Sequence, residues 1–191
     1  MHGPDRTQTN PSKQPTAALT KLRGAVFAMR LLSAAYLVLV AWYIQNWWLD
    51  GDKVVRLKGY HFGLDLGAMQ AWQRHAAMGL DVVAWAMLAV AVWFGWRFLA
   101  SLVHKTQFPG IGAQDLLRCA WWGLACEALS VLSRPLQSYL LTLHLEPANR
   151  QWRWAFHSAD VQSVILCLAL VIFALMYAWT LEVAEENRSF V

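Results

Sequence analysis

Four long apolar runs separated by polar stretches dominate the chain, at about residues 25–48, 77–103, 119–143 and 160–181. Each is long enough to supply the roughly 20 residues that a helix needs to cross a hydrocarbon core. Inside lipid every backbone polar group must be satisfied within the structure, which leaves helices or closed barrels. Nowhere do ten-residue segments alternate apolar with polar, so the pattern predicts an all-α, four-helix transmembrane bundle with short loops. Before the first run, MHGPDRTQTNPSKQPTAALT is polar, holds three prolines and shows no apolar period. Residues 1–22 are therefore expected to form a disordered cytoplasmic tail, and 23–191 a single four-span domain. The tail lacks the short apolar core and small-residue cleavage site of a signal peptide.

The segment from Leu49 to Arg74 is the largest piece outside the spans. Its KVVRLKGYHFGLDLG stretch predicts a short two-stranded ribbon turning near Gly59, and AMQAWQRHA an interfacial helix leading into the second span. Such a segment can cover the mouth of a bundle but is too small to be an independent domain. Tyr43, Trp47 and Trp48 close the first span, Trp152 and Trp154 precede the fourth, and Trp93, Trp96, Trp121 and Trp122 sit toward the other ends of the second and third. That placement predicts aromatic belts at the two interfaces.

Composition agrees with the pattern. Only 15% of the residues are charged, 58% are hydrophobic and mean hydropathy is +0.33, whereas a soluble domain carries roughly 25% charged residues. The net charge of +4 comes as singles and pairs, not as a run that would bind nucleic acid directly. The lipid bilayer is the expected partner. Cys119, Cys126 and Cys167 all fall in apolar segments without a CxxC pair, so they read as reduced, buried and inert.

Orientation follows the basic residues near the spans. With both termini in the cytoplasm, that side holds nine: Arg6, Lys13, Lys21, Arg23, Arg30, Arg97, Lys105, Arg118 and Arg188. The other side holds six: Lys53, Arg56, Lys58, Arg74, Arg150 and Arg153. The excess favours cytoplasmic termini, and the cluster leading into the first span reinforces it.

Ionisable groups within a span cost about 2.5–3.5 kcal/mol each on insertion scales, so each needs a reason. Asp81, Glu127 and Arg134 are the candidates, with Arg30, Arg97 and Asp160 nearer the ends. Glu127 and Arg134 are two helical turns apart and share a face. Asp81 and Arg134 both lie in the halves of their spans next to the first loop, which predicts an Asp81–Arg134 pair between the second and third helices. Pro135 removes a backbone donor beside Arg134 and is expected to kink the helix. These charges have a structural reading, an ion pair that sets packing and register, and a functional one, a ligand, proton or ion site.

Two stretches carry a family resemblance. LVHKTQFPGIGAQDLLRCAWWGLA joins a basic turn and an aromatic to an amphipathic approach into the third helix. VIFALMYAWTLEVAEENRSFV is an apolar helix whose last turns become acidic, ending Glu185-Glu186-Asn187-x-x-x-Val191 with Arg188, Ser189 and Phe190 as the spacer. With four spans and a first outer loop, this resembles the bacterial membrane proteins grouped as domain of unknown function 2975 (DUF2975), which end in a similar Glu-Asn-x-x-Thr-Val-like tail. The resemblance implies a bacterial cytoplasmic-membrane protein. Genes of that family often neighbour a small helix-turn-helix regulator, which implies a cytosolic regulatory partner. It carries over no catalytic residues.

Enzyme signatures are missing from the sequence: no H-E-x-x-H, no Gly-rich phosphate loop and no Gly-x-Ser-x-Gly elbow. Ser130, Ser133 and Ser138 have no helix-borne histidine at similar depth. His75 and His157 fall at the same ends of the second and fourth spans, so a bis-histidine haem ranks as a third reading, and no cofactor is expected. Glu182, Glu185 and Glu186 follow the last apolar turn, where the helix dipole favours cations. They are either solvated acids or a docking face for a basic cytosolic partner, together with the loop from His104 to Arg118. Small residues, Ala34 with Ala35 or Gly123 with Ala125, offer a homo-oligomer face. The sequence therefore predicts a non-enzymatic, multi-pass membrane protein of interaction, sensing or regulatory type, tethering a cytosolic regulator or joining another membrane subunit. The alternative is a small-molecule, proton or ion-handling protein built on Asp81, Glu127 and Arg134.

Overall fold

The computed structural model describes residues 14–103 and 109–189, all in helices or short connections. Four long helices, α1 (Gln14–Leu49), α3 (Ala71–Val103), α4 (Pro109–Thr142) and α5 (Ser158–Ser189), are joined by the short α2 (Gly51–Phe62) and a single 3-10 turn at Pro147–Asn149. Each of the four contains a stretch long and apolar enough to cross a membrane: Thr20–Leu49, Ala71–Val103, Ile111–Thr142 and Ser158–Asn187. The four-helix architecture is as predicted. α1 takes in residues 14–22, which the tail was expected to include, and the rest of the predicted tail lies outside the described residues. α4 likewise begins at Pro109, ahead of the span expected from 119. AMQAWQRHA is largely the first turns of α3 itself.

The expected ribbon is a helix. Val54, Val55 and the aromatics of the segment favour a strand intrinsically, but its ends are built for α2. The Asp50 carboxylate accepts from the backbone N–H of Lys53 at 3.0 Å, an N-cap. At the other end Gly63 adopts φ +67°, while its N–H reaches Tyr60 O and that of Leu64 reaches Gly59 O. This Schellman stop needs a residue without a Cβ. Helical spacing then buries Val54 and Phe62 with Trp48, Leu66, Ala77 and Leu141, a small core that lies over one end of the bundle. Tertiary burial has overridden strand propensity.

α3 packs along α4, α1 lies against α3 and α5 against α4, while α1 and α5 share no interface of comparable extent. The bundle is thus a central hairpin with two flanking helices, not a closed ring. Small residues permit the close approaches: a Cβ on Gly95 would sit 3.4 Å from Cys119 Sγ, and one on Gly123 3.0 Å from Cys167 Sγ. At Gly123 the missing Cβ thus serves the α4–α5 contact within the chain. The three cysteines are free and half-buried, and Cys126 donates to Ala84 O at 3.3 Å.

Candidate functional site

Where α1 and α5 fail to close on one another, a crevice of about 520 Å³ opens along the α3–α4 hairpin. All four long helices line it: Tyr36 and Tyr43 from α1, Asp81 and Trp85 from α3, Glu127 and Ser130 from α4, Ser163 and Cys167 from α5. The volume is that of a drug-sized ligand site, and such sites combine apolar walls with a few polar groups.

The polar wall is built differently from the sequence expectation. Arg134 does not pair with Asp81. Its Nη1 and Nη2 donate to Asp160 Oδ2 and Oδ1 at 2.5 and 2.6 Å, and Nη1 also donates to Ala155 O at 2.7 Å. Asp160 is the third residue of α5, and its Oδ2 accepts in addition from the His157 backbone N–H at 2.7 Å. One carboxylate therefore caps α5 and docks it on α4. The shared face inferred for Glu127 and Arg134 is correct in spacing, but it faces α5, not α3. Spacing along one helix defines a face and cannot say which neighbour covers it. α4 runs through Pro135 as one continuous helix, and the backbone carbonyl that Arg134 uses belongs to the segment before α5.

Asp81 has neutral partners instead. Trp48 Nε1 donates to Oδ2 at 2.7 Å and Gln137 Nε2 to Oδ1 at 2.6 Å. Trp48 is 2% exposed and serves as an interior donor, not as part of an interfacial belt. Trp96 has also left the belt: its ring N–H donates to Ser33 Oγ at 2.8 Å, while its carbonyl accepts from Arg30 Nη2 at 2.7 Å. Trp85 Nε1 adds a bond to Leu37 O at 3.0 Å, so indole donors fasten α1 to α3 along its length. Lys58 of α2 lies near enough to Asp81 to feel its charge. Burial pushes the Lys58 ammonium below its usual pKa, and the Asp81 charge opposes that shift without cancelling it.

Glu127 lies beside Ser163 and the Arg134–Asp160 pair, on the crevice wall. Of the two acids that line the crevice, Asp81 has both oxygens engaged by ring and amide N–H donors, whereas Glu127 shares side-chain hydrogen bonds with Ser163 and Asp160 of α5. Sequence reasoning found Glu127, Asp81 and Arg134, but missed the roles of Asp160 and Gln137. Asp160 was visible as an acid at the start of an apolar run, three residues after His157.

The other candidates lie apart. Glu182, Glu185 and Glu186 are exposed at the end of α5, and the first two line a cavity of about 210 Å³ with Gln114 and Leu117. Of the His104–Arg118 loop, residues 104–108 lie outside the described residues, and the remainder is the start of α4. There Asp115, side chain 3% exposed, bridges Arg97 at 3.2 Å and Arg118 at 3.7 Å, an inter-helix lock the sequence reading overlooked. His75 and His157 are exposed on elements without a substantial shared interface, so they do not form the facing pair a haem requires. Among the described residues no three His, Cys, Asp or Glu are grouped to hold a metal. No family model matches the chain, no curated protein matches its sequence and no solved structure matches its fold.

Proposed function

We propose that this chain is a non-enzymatic, multi-pass membrane protein of the sensing or interaction type whose recognition element is the lateral crevice between α1 and α5. The supporting observation is the crevice itself: about 520 Å³, drawing on all four long helices, where a plain structural bundle would close on apolar packing. Because it opens between two helices that face lipid, its occupant reaches it from the bilayer. We further propose the bacterial cytoplasmic membrane with both termini cytoplasmic, on the nine-to-six distribution of basic residues and the DUF2975-like loop before the third span and C-terminal stretch. The test is mass spectrometry of small molecules retained through purification in mild detergent. The wild type is expected to retain a compound that Ser163→Trp, which fills the crevice, loses. Equal retention by both proteins, or none by either, would sink the proposal.

A second reading concerns the other end. The three acids of α5 stand exposed beyond its apolar turns, which suits a basic cytosolic regulator held by the tail. Alanine at Glu182, Glu185 and Glu186 together would then release that partner from native membranes without shifting thermal stability. Unchanged retention would remove this reading. Proton or ion handling remains the alternative use of Asp81, Glu127 and Arg134, and it predicts that Glu127→Gln abolishes a cation flux in proteoliposomes.

A further inference from the structure

The end of the bundle next to the α3–α4 connection carries a polar cluster separate from the crevice and independent of that reading. We infer that Arg97 and Arg118 form a headgroup site for an anionic phospholipid, whose phosphodiester bridges the two guanidiniums.

Three observations converge. The first is charge. Both arginines pair with the carboxylate of Asp115, at 3.2 and 3.7 Å, and among the described residues no other acid pairs with either. Two guanidiniums on one carboxylate leave one positive charge unbalanced, and a phosphodiester carries one negative charge. The second is geometry. The Arg97 and Arg118 guanidiniums lie 5.9 and 5.7 Å from the ring centre of Phe94, so one ring and one carboxylate gather both. Their side chains are 47% and 55% exposed, that of Asp115 only 3%. The carboxylate thus holds them from within, and about half of each stays open to its surroundings. Guanidinium forks match the oxygens of a phosphate. Gly112 keeps the frame tight, since a Cβ there would meet Ser101 Oγ at 2.7 Å across the α3–α4 contact. The third is depth. At 1.5 Å per residue α3 is about 50 Å long against a hydrocarbon core of about 30 Å, which leaves about 10 Å at each end for the headgroup layer. Arg97 is six residues from the end of α3 and Arg118 nine from the start of α4. Side chains lean toward the N-terminus of their helix, which carries that of Arg118 outward to the level of Arg97. One turn deeper on the same faces, Trp93, Trp121 and Trp122 are exposed, as rings at the acyl boundary are. A soluble acidic partner would find the arginines sunk below the helix ends, whereas a lipid phosphate lies at their level. Basic clefts between spanning helices are where anionic headgroups bind.

The experiment titrates the full chain in mild detergent with phosphatidylglycerol and with phosphatidylcholine of the same acyl chains, and reads the bound fraction by native mass spectrometry. The wild type is expected to bind phosphatidylglycerol about fivefold or more tightly, the factor for one basic side chain at a membrane surface. Arg118→Gln leaves Arg97 to balance Asp115 and should reduce that preference to about twofold or less. Arg23→Gln, which removes an exposed charge from α1, should keep it. No preference in the wild type overturns the inference, and so does an equal loss in both variants or in neither. Location is read on the wild type, so the site stays testable even if Arg118→Gln does not fold. Phosphatidylglycerol with a photoreactive diazirine on its glycerol headgroup should label the 90–101 or 111–122 segments, and labelling only elsewhere overturns the site. Glycerol phosphate, the same headgroup without acyl chains, should not compete at the lipid's own concentration; competition there overturns the lipid assignment in favour of a soluble anion.

Discussion

The Arg134–Asp160 pair ties α5 to α4, and removing one partner gives a prediction with a definite size. The arginine side chain is 26% exposed and the aspartate 9%, so neither is well solvated. Breaking a buried pair from one side costs about 3–5 kcal/mol, mainly because the remaining charge is stranded. The partial exposure of Arg134 puts the expected loss for Arg134→Met near the lower end, about 3 kcal/mol. Asp160→Asn keeps an oxygen for the His157 N–H, hence most of the α5 cap, and removes only the charge. It should also cost about 3 kcal/mol, whereas Asp160→Ala loses the cap as well and about 1 kcal/mol more. The double variant Arg134→Met/Asp160→Asn strands no charge. It is expected to lose no more than either single, giving a coupling energy of about 3 kcal/mol or more. The assay is reversible unfolding in mixed micelles titrated with sodium dodecyl sulfate, followed by tryptophan fluorescence. Coupling below about 0.5 kcal/mol would refute the pairing, since that is the scatter of independent sites. The control is Arg134→Met with Asp81→Asn. The pair expected from spacing alone predicts coupling there, and the observed geometry predicts additivity.

Three further outcomes follow from other contacts. Asp81→Asn turns one accepting oxygen into an N–H₂ that faces Trp48 Nε1 or Gln137 Nε2, leaving a buried donor unmatched. It should cost about 1–3 kcal/mol in the same titration, and a change below about 0.5 kcal/mol would contradict the hydrogen-bond assignment. The Lys58 pKa is lowered in the folded state, so between that value and the ordinary 10.5 the unfolded chain binds more protons. Stability should therefore rise with pH as it approaches 10.5 from below, and Lys58→Met should flatten that rise; equal slopes for both proteins would argue against a buried ammonium. Gly63→Ala forces a Cβ into the left-handed region at φ +67° and should cost about 1–2 kcal/mol. Gly24→Ala, within α1 with nothing within 4 Å of its Cβ, should gain about 0.5–1 kcal/mol. The pair is read from thermal midpoints in detergent, and equal shifts of one sign would overturn the distinction.

Much of this protein was determined by the sequence alone. Four apolar runs of spanning length dictate four helices, because backbone groups in lipid have few other solutions. The costliest residues, Asp81, Glu127 and Arg134, stand out because little else in those runs is charged. What the sequence could not decide is which helix each face meets. A seven-residue spacing puts Glu127 and Arg134 on one stripe of α4, yet both α3 and α5 lie against that helix, and only tertiary packing turned the stripe toward Asp160. The same holds for Trp48 and Trp96. An indole near the end of a span satisfies its N–H equally well at a headgroup or at a buried acceptor, and the helix beside it chooses. For α2 the local signals themselves conflicted, with β-branched residues favouring a strand and Asp50 and Gly63 marking a helix, until burial of Val54 and Phe62 against Trp48 and Leu141 resolved them. The crevice is the furthest from the sequence. It exists because α1 and α5 each pack on one side of the hairpin and not on each other, and an interface that fails to form leaves no periodicity in the chain.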